Sequence, residues 1–380
     1  MWMARPLAPC SRYCDCRIVL RLLVSTYVTI SAAASISCSE ERSQGPCPER
    51  DVLYVASWGM PHARIEAVDI KTDSILYTWS DTAFGEVVDI RAFPDGRHLM
   101  VFGAYNLPLI WNVELGTTVA TLPRNHYDFV ITDDFIVGFS FDGVDIYSAV
   151  THELINSNAI ELFYPVAIPG TDLIAGMNRR FLPWEDRSFL VVFDLDQASP
   201  VDTIVVNPDQ YGRGFQFQYM TASQDGRVLY CRGAYPEAAA YLLAIDWSHD
   251  SVLYQSRATS GIGFCEESPD GKEVWITNPG VWNGLLPPTP GTIQVFDAEI
   301  GDRLVTISTA GHTTPATWPM PVREIEFSTD GRLCFVNALN GEHPILVIDV
   351  VSRSIVRDIL GSPRRVIQAI ELTVLHELPF

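Results

Sequence analysis

A short pattern that recurs seven times constrains the fold of this chain more than any other feature. In each copy, a few apolar residues run into an acidic or amide residue and then a polar turn, at intervals of about 35 to 52 residues. The copies are Ala67-Val68-Asp69, Leu109-Ile110-Trp111-Asn112, Val144-Asp145-Ile146-Tyr147, Val192-Phe193-Asp194, Ala244-Ile245-Asp246, Val295-Phe296-Asp297 and Val347-Ile348-Asp349. Because the Asp recurs in nearly every unit, we interpret it as a turn residue and not as a catalytic one.

A second pattern, in which an Asp-Gly turn joins two apolar strands, alternates with the first. Asp-Gly is a strong hairpin signal because Gly readily takes the positive φ that a tight turn requires. Clear copies are Phe93-Pro94-Asp95-Gly96, Ser223-Gln224-Asp225-Gly226, Ser268-Pro269-Asp270-Gly271 and Ser328-Thr329-Asp330-Gly331, with degenerate forms at 132–134 and 168–172. Together the two patterns predict four short strands in each unit.

Four antiparallel strands repeated every 40 to 50 residues are typical of a β-propeller blade. Six units are complete, at about 87–123, 127–160, 163–206, 215–258, 262–309 and 322–361. The chain before them begins in the middle of a unit, with apolar strands at 51–55 and 65–69, and it ends with a lone strand at 365–372. We therefore predict an all-β, seven-bladed propeller whose last blade is closed by N- and C-terminal strands, so that removing 366–372 opens the ring.

One repeat resembles a known family. The segment Ser268 to Asn278 resembles the YVTN β-propeller repeat, with Trp275 and Ile276 where that family has Tyr and Val. Weaker copies lie at 331–337 and 52–57, and the repeat pattern covers 50–372. The resemblance implies a WD40-like propeller fold and no single function, because such propellers include binding proteins, surface proteins and some enzymes. No Trp-Asp dipeptide ends a blade, as it would in WD40 proteins themselves.

The N-terminus has the order of regions found in a secretory signal peptide. Four arginines precede an apolar stretch from Leu22 to about Ile36, and small residues gather at its end. Cys38 follows Ser35-Ile36-Ser37, which resembles the lipobox of bacterial lipoproteins, although Ser35 stands where Leu is usual. We predict a signal peptide at 1–37, a linker at 38–50 with a possible lipid anchor at Cys38, and a propeller at 51–375. The alternative is ordinary cleavage that leaves a periplasmic or secreted protein.

Composition narrows the possible partners. The chain has 46 Asp and Glu against 26 Lys and Arg, a net charge of −20, whereas nucleic-acid binding requires clustered positive charge. No run of 18 apolar residues follows position 40, so we expect membrane contact only through a lipid anchor. No CxxC pair is present, and we predict no metal, no cofactor and a monomeric protein.

Binding is expected on the face where the long loops gather, because function usually resides on loops held by a rigid scaffold. Arg and aromatic residues are common anchors of binding surfaces, and several lie in or beside these loops. The candidates are Arg179, Arg180, Trp184, Tyr211, Arg213, Arg232, Tyr235, Trp282 and Trp318. The alternative is that the loop arginines only pair with neighbouring acids such as Glu185 and Asp186.

Four histidines also fall on loops of this face. They are His62, His126, His312 and His343, and imidazole is both a common metal ligand and a natural general base. No HxH or HExxH spacing accompanies them, and no GxSxG, P-loop or GxGxxG motif occurs. The sequence therefore favours a non-enzymatic binding propeller of the bacterial envelope, with an unknown protein or small molecule as partner. The alternatives are a lactonase- or lyase-like propeller enzyme and a quinone-dependent dehydrogenase-like protein.

Overall fold

Seven antiparallel sheets of four strands each contain all 28 strands that the structure describes. The computed structural model describes residues 50–58, 63–80, 84, 87–103, 106–178, 189–206, 216–234, 240–259, 263–278, 291–310, 322–338, 345–359 and 366–375. These residues confirm the prediction of an all-β, seven-bladed β-propeller. They all belong to the unit Glu49–Phe380.

The strands of each blade follow one another in the chain, except in the first blade. Blade 1 has the order β28 (Val366–Leu375), β1 (Arg50–Trp58), β2 (Arg64–Asp69) and β3 (Ser74–Ser80). Blade 2 comprises β4 (Val87–Ala92), β5 (His98–Gly103), β6 (Leu109–Asn112) and β7 (Thr117–Thr121). Blade 3 comprises β8 (Asp128–Ile131), β9 (Phe135–Ser140), β10 (Gly143–Ser148) and β11 (Leu154–Asn158).

The remaining blades are built in the same way. Blade 4 comprises β12 (Phe163–Ala167), β13 (Leu173–Asn178), β14 (Phe189–Asp194) and β15 (Ser199–Val205). Blade 5 comprises β16 (Gln216–Ala222), β17 (Val228–Ala234), β18 (Ala240–Asp246) and β19 (Ser251–Arg257), with a 3-10 helix at Trp247–His249. Blade 6 comprises β20 (Cys265–Glu267), β21 (Glu273–Asn278), β22 (Thr292–Asp297) and β23 (Arg303–Ser308), and blade 7 comprises β24 (Val322–Phe327), β25 (Leu333–Ala338), β26 (Ile345–Asp349) and β27 (Ser354–Ile359).

The first strand of each sheet lies at the centre of the ring. These innermost strands contact one another in the closed order β28, β4, β8, β12, β16, β20, β24 and back to β28. Blade 1 therefore takes its innermost strand from the C-terminus and its other three from the N-terminal part of the propeller. The two ends pair from Arg50 with Leu375 to Trp58 with Val366, which confirms the predicted closure.

Burial follows the position of a strand in its blade. Third strands read as continuous buried runs, as in β14 and β22, because neighbouring blades cover both of their faces. Fourth strands such as β7 and β11 are largely exposed at the rim. The core lies between blades: Trp275 of blade 6, for example, packs in one cluster with Val336 and Ile348 of blade 7.

A polar residue closes the turn after each third strand, and in five of the seven blades it is the recurring Asp. Asn112 takes this place in blade 2 and Ser148 in blade 3, where Asp145 lies within the strand. Oδ1 of Asp69 accepts the backbone N–H groups of Lys71 and Thr72, and Asp297 does the same for Glu299 and Ile300. Such side-chain bonds satisfy turn N–H groups that the strands cannot pair. The described turns thus support the interpretation of these Asp residues as structural.

The order of strands assigns every connection to one of two faces. Turns between first and second strands, and between third and fourth strands, lie on one face, which we call the turn face. Second-to-third loops and blade-to-blade connections lie on the other, which we call the mouth face. Within the described ranges, no helix has the length and apolar character needed to cross a bilayer.

Candidate functional site in the central channel

A fixed position of the innermost strands brings six side chains to one level of the channel. In blades 2 to 7, one backbone N–H closes the turn after the innermost strand, at residues Phe93, Thr132, Ile168, Ser223, Ser268 and Ser328. Counting four residues back from each gives Asp89, Asp128, Tyr164, Tyr219, Phe264 and Glu324. We call these six residues the channel layer. They lie at or before the middle of each innermost strand, toward the mouth face, with Phe264 immediately before β20.

One half of the channel layer is acidic and is organised around Arg91. The Arg91 guanidinium lies 2.8 Å from Oδ2 of Asp89, 3.7 Å from Oδ1 of Asp128 and 3.9 Å from Oε1 of Glu324. Glu324 also accepts the backbone N–H of Ile370 at 2.6 Å, which fixes it to the closing strand. Because Arg91 reaches from blade 2 to blade 7, past blade 1, these side chains must extend into the channel.

Asp128 has a perturbed acidity. Its side chain is 23% exposed, and burial raises its pKa to about 6, although Arg91 opposes the shift and Asp89 adds to it. A carboxylate that titrates near neutral pH is typical of a functional site, although structural ion-pair networks also produce such shifts.

The other half of the channel layer is aromatic. The ring centroids of Tyr164 and Tyr219 are 4.9 Å apart, and those of Tyr219 and Phe264 are 4.0 Å apart. Phe163 extends this arc beside Tyr164, and it stacks on Tyr127 with centroids 5.3 Å apart. The three layer aromatics are only partly buried, so this half presents ring surface to the channel from three consecutive blades.

Tyr164 is held in an unfavourable backbone conformation. Its φ is +50°, and it precedes Pro165 at a register shift between Phe163 and Val166. The other non-glycine residues with positive φ in the described part of the chain lie in turns, not within strands. Positive φ in a bulky strand residue costs of order 1–3 kcal/mol and is common at ligand sites. The bulge re-aims the Tyr164 ring toward Tyr219.

Most of the residues that the sequence predicted for a site lie outside the described residues. These are His62, His312, His343, Arg179, Arg180, Trp184, Tyr211, Arg213, Tyr235, Trp282, Trp318 and the lipidation candidate Cys38. His126 and Arg232 are the two that the structure places. Because three of the four candidate histidines lie outside the described residues, their clustering at the mouth face stays a prediction.

His126 lies inside blade 3 and not on an open loop surface. Its side chain is fully buried, and its Nε2 lies 3.0 Å from Oδ2 of Asp145 on β10. A Cβ on Gly138 would come within 2.5 Å of the His126 ring, so this glycine leaves the space that the imidazole fills. Burial lowers the pKa of His126, although Asp145 opposes that shift. The imidazole is accordingly neutral at pH 7 and ties the connection before β8 to the third strand.

Arg232 lies in β17 and not in the loop that the sequence suggested. Its side chain is fully buried, where Nη1 donates to Oε1 of Gln218 at 3.0 Å and Nη2 to the carbonyl of Thr259 at 3.4 Å. Burial lowers its pKa to about 10. Because Arg232 is the cross-strand partner of Tyr219 in the β16–β17 register, it lies beside the aromatic half.

The channel layer itself was missed by the sequence analysis, although a signal for it existed. Counting back from the turn in each unit reaches the layer directly, but its six members share no residue type. At the opposite, turn face, a hollow of about 360 Å³ is lined by turns of blades 2, 3 and 4 and includes Asp133, Asp134 and Asp172. No group of three or more His, Cys, Asp or Glu among the described residues is placed to hold a metal ion.

Solved structures share this fold at low sequence identity. Kuenenia stuttgartiensis hydrazine synthase aligns with a TM-score of 0.60 and 13% identity, over 77% of this chain and 95% of that chain. Dihydro-heme d1 dehydrogenase NirN in complex with DHE aligns with a TM-score of 0.56 and 15% identity, over 83% of this chain and 64% of that chain. No family model and no curated protein sequence matches the chain. These likenesses establish the propeller fold alone.

Proposed function

We propose that this protein is a ligand-binding propeller that holds a small molecule in its channel, at the channel layer below the mouth face. The observation that carries the proposal is the arc of Tyr164, Tyr219 and Phe264, which three different blades supply to one level. Exposed aromatic surface in a concave site binds apolar and flat groups, while a few polar groups fix their orientation. The positive φ of Tyr164 supports the same role, because backbone strain within a strand is common at ligand sites.

The proposal is tested with three probes of similar size and different charge: benzyltrimethylammonium, benzyl alcohol and phenylacetate. Isothermal titration calorimetry of the full-length protein is expected to show binding of at least one probe. We expect Tyr219→Leu to weaken that binding about tenfold, the upper part of the range for one aromatic contact.

Tyr77→Leu is the matched control, because Tyr77 is an exposed aromatic on the outer strand β3 that stacks on Trp79. It should leave probe binding unchanged. The proposal is wrong if no probe binds the folded protein, or if Tyr219→Leu and Tyr77→Leu have equal effects.

A propeller enzyme is the second candidate function. Its support is that the two structural neighbours named above are a synthase and a dehydrogenase. A quinone- or haem-dependent version requires a bound chromophore. A purified protein that is colourless after expression in a cofactor-producing host, yet binds a probe through Tyr219, would favour the binding function.

We also propose that the chain is exported and lipid-anchored in the bacterial envelope. The support is the sequence alone: a basic start, an apolar stretch from Leu22 and Cys38 after small residues. Intact-mass spectrometry of the protein from a bacterial membrane fraction is expected to show loss of residues 1–37 and a diacylglyceryl group on Cys38. A Cys38→Ser variant should then fractionate with soluble proteins, and an unprocessed wild-type N-terminus would refute the proposal.

A further inference from the structure

Charge is distributed unevenly around the channel. Innermost-strand residues that are two positions apart point to the same side of the strand, so the residues two places before each turn also approach the channel. At these two levels the described carboxylates are Asp89, Asp128, Glu266, Glu324 and Glu326. On the innermost strands, Arg91 is the one basic side chain that the structure describes at these positions. Arg232 of β17, the cross-strand partner of Tyr219, is fully buried and donates to Gln218 and to the carbonyl of Thr259. Four of these five carboxylates lie on blades 2, 3 and 7, across the channel from the aromatic arc, and Glu266 lies on blade 6 beside Phe264.

An acidic surface opposite an aromatic surface favours a positively charged ligand. A cation placed against an aromatic face is attracted by the ring quadrupole, and carboxylates across the channel add to that attraction. An anion would meet carboxylates and the negative faces of the rings. The described carboxylates are also not grouped as a metal site, which favours a larger, more weakly hydrated cation over a bare metal ion.

We propose that the channel layer binds an organic cation, such as an alkyl- or aryl-ammonium group, with its charge between Asp128 and the ring of Tyr219. The inference rests on the proposed ligand-binding function and adds the chemical class of the ligand. The carboxylates of the acidic half supply the counter-charge for the cation, and Arg91 holds the carboxylates of blades 2, 3 and 7 in place by contacting all three.

The three probes of the binding experiment test the charge class. Benzyltrimethylammonium is expected to bind at least about fivefold more tightly than benzyl alcohol, as a cation–π contact of about 1 kcal/mol implies. Phenylacetate is expected to bind more weakly than the alcohol. If the alcohol or the carboxylate binds equally well or better, and Tyr219→Leu abolishes that binding, the inference is wrong while the proposed function stands.

Asp128→Asn separates charge from shape. The amide keeps the size of the side chain, so we expect severalfold weaker binding of benzyltrimethylammonium and unchanged binding of benzyl alcohol. The control is Asp196→Asn, because Asp196 is an exposed acid in a turn of blade 4 and should affect neither probe. Equal losses for the cation and the alcohol in Asp128→Asn would refute a role for its charge.

The pH dependence provides an independent readout. The charged groups described near Asp128 are Asp89 and Arg91 on β4 and, beyond Arg91, Glu324 on β24. Because the pKa of Asp128 is about 6, raising the pH through 6 ionises it, and cation affinity should increase over that window. Asp128→Asn should flatten this step, and a wild-type affinity that is constant from pH 5 to about pH 7 would contradict the role of Asp128.

Discussion

A protein truncated before β28 is expected to lose its cooperative melting transition and to aggregate or oligomerise at room temperature. β28 pairs with β1 along its whole length, and it contributes the buried Ile370 to the cluster that joins blades 1 and 7. Its removal leaves the N–H and C=O groups of β1 as an open edge at the centre of the ring. It also removes the backbone donor to Glu324. Losing a paired strand of this length at the centre of the ring costs several kcal/mol, a large part of the net stability of a domain.

The matched control ends the chain after Leu375 and so keeps all of β28. Thermal melting followed by circular dichroism, together with size-exclusion chromatography, should show wild-type behaviour for this control and a lower, broader transition with larger species for the chain that stops before Val366. A synthetic peptide of residues 364–378 should restore the wild-type melt by strand addition, and the same peptide carrying Ile370→Asp should not. A monomeric truncated protein with an unchanged melting temperature would show that β28 does not close the ring.

The blades could be predicted from sequence because their signals are local. An Asp-Gly turn such as Ser268 to Gly271 requires positive φ, and the structure gives Gly271 a φ of +69° in a turn closed by the Ser268 carbonyl. Where the third strand ends in Asp, as at Asp69, the side chain likewise satisfies N–H groups within three residues of itself. The closure was predictable as well, because an unmatched first unit and a lone final strand have one arrangement that leaves no open edge.

The candidate site was harder to predict because its side chains meet only after the ring has closed. Asp128 and Glu324 are 196 positions apart, as their numbers show, yet both approach Arg91. Arg232 and His126 show the opposite problem. Residue type suggested exposed loop positions for both, whereas packing between blades buries them with neutral or acidic partners. Polarity indicates that a side chain requires partners, but the fold decides whether those partners are ligand or protein.

The second large effect is expected at Asp145, which is the acceptor for three neighbouring side chains. Its carboxylate is 5% exposed, and it accepts hydrogen bonds from Arg124 at 2.8 Å, from His126 at 3.0 Å and from Ser157 at 2.6 Å. Burial alone would raise the pKa of Asp145, but the bonds from Ser157 and His126 and the charge of Arg124 lower it below its usual value. We expect Asp145→Ala to lower the free energy of unfolding by about 2 kcal/mol, because the fully buried imidazole of His126 loses its acceptor, whereas the exposed Arg124 and Ser157 can turn to water.

Urea unfolding at neutral pH measures this loss of stability. Asp142→Ala is the control, because Asp142 is exposed in the turn before β10. This substitution should change the free energy of unfolding by about 0.5 kcal/mol or less. Because the pKa of Asp145 is lower in the folded state than in the unfolded state, its carboxylate stabilises the fold at pH values above the unfolded-state pKa. This stabilisation is lost as the pH falls through the folded-state pKa. The difference between wild type and Asp145→Ala should therefore shrink in acid. Adding His126→Leu to Asp145→Ala should recover part of the lost stability, because the double variant has no buried imidazole left without an acceptor. Additive losses in the double variant would mean that His126 and Asp145 stabilise blade 3 independently and that the 3.0 Å contact between them contributes no coupling energy.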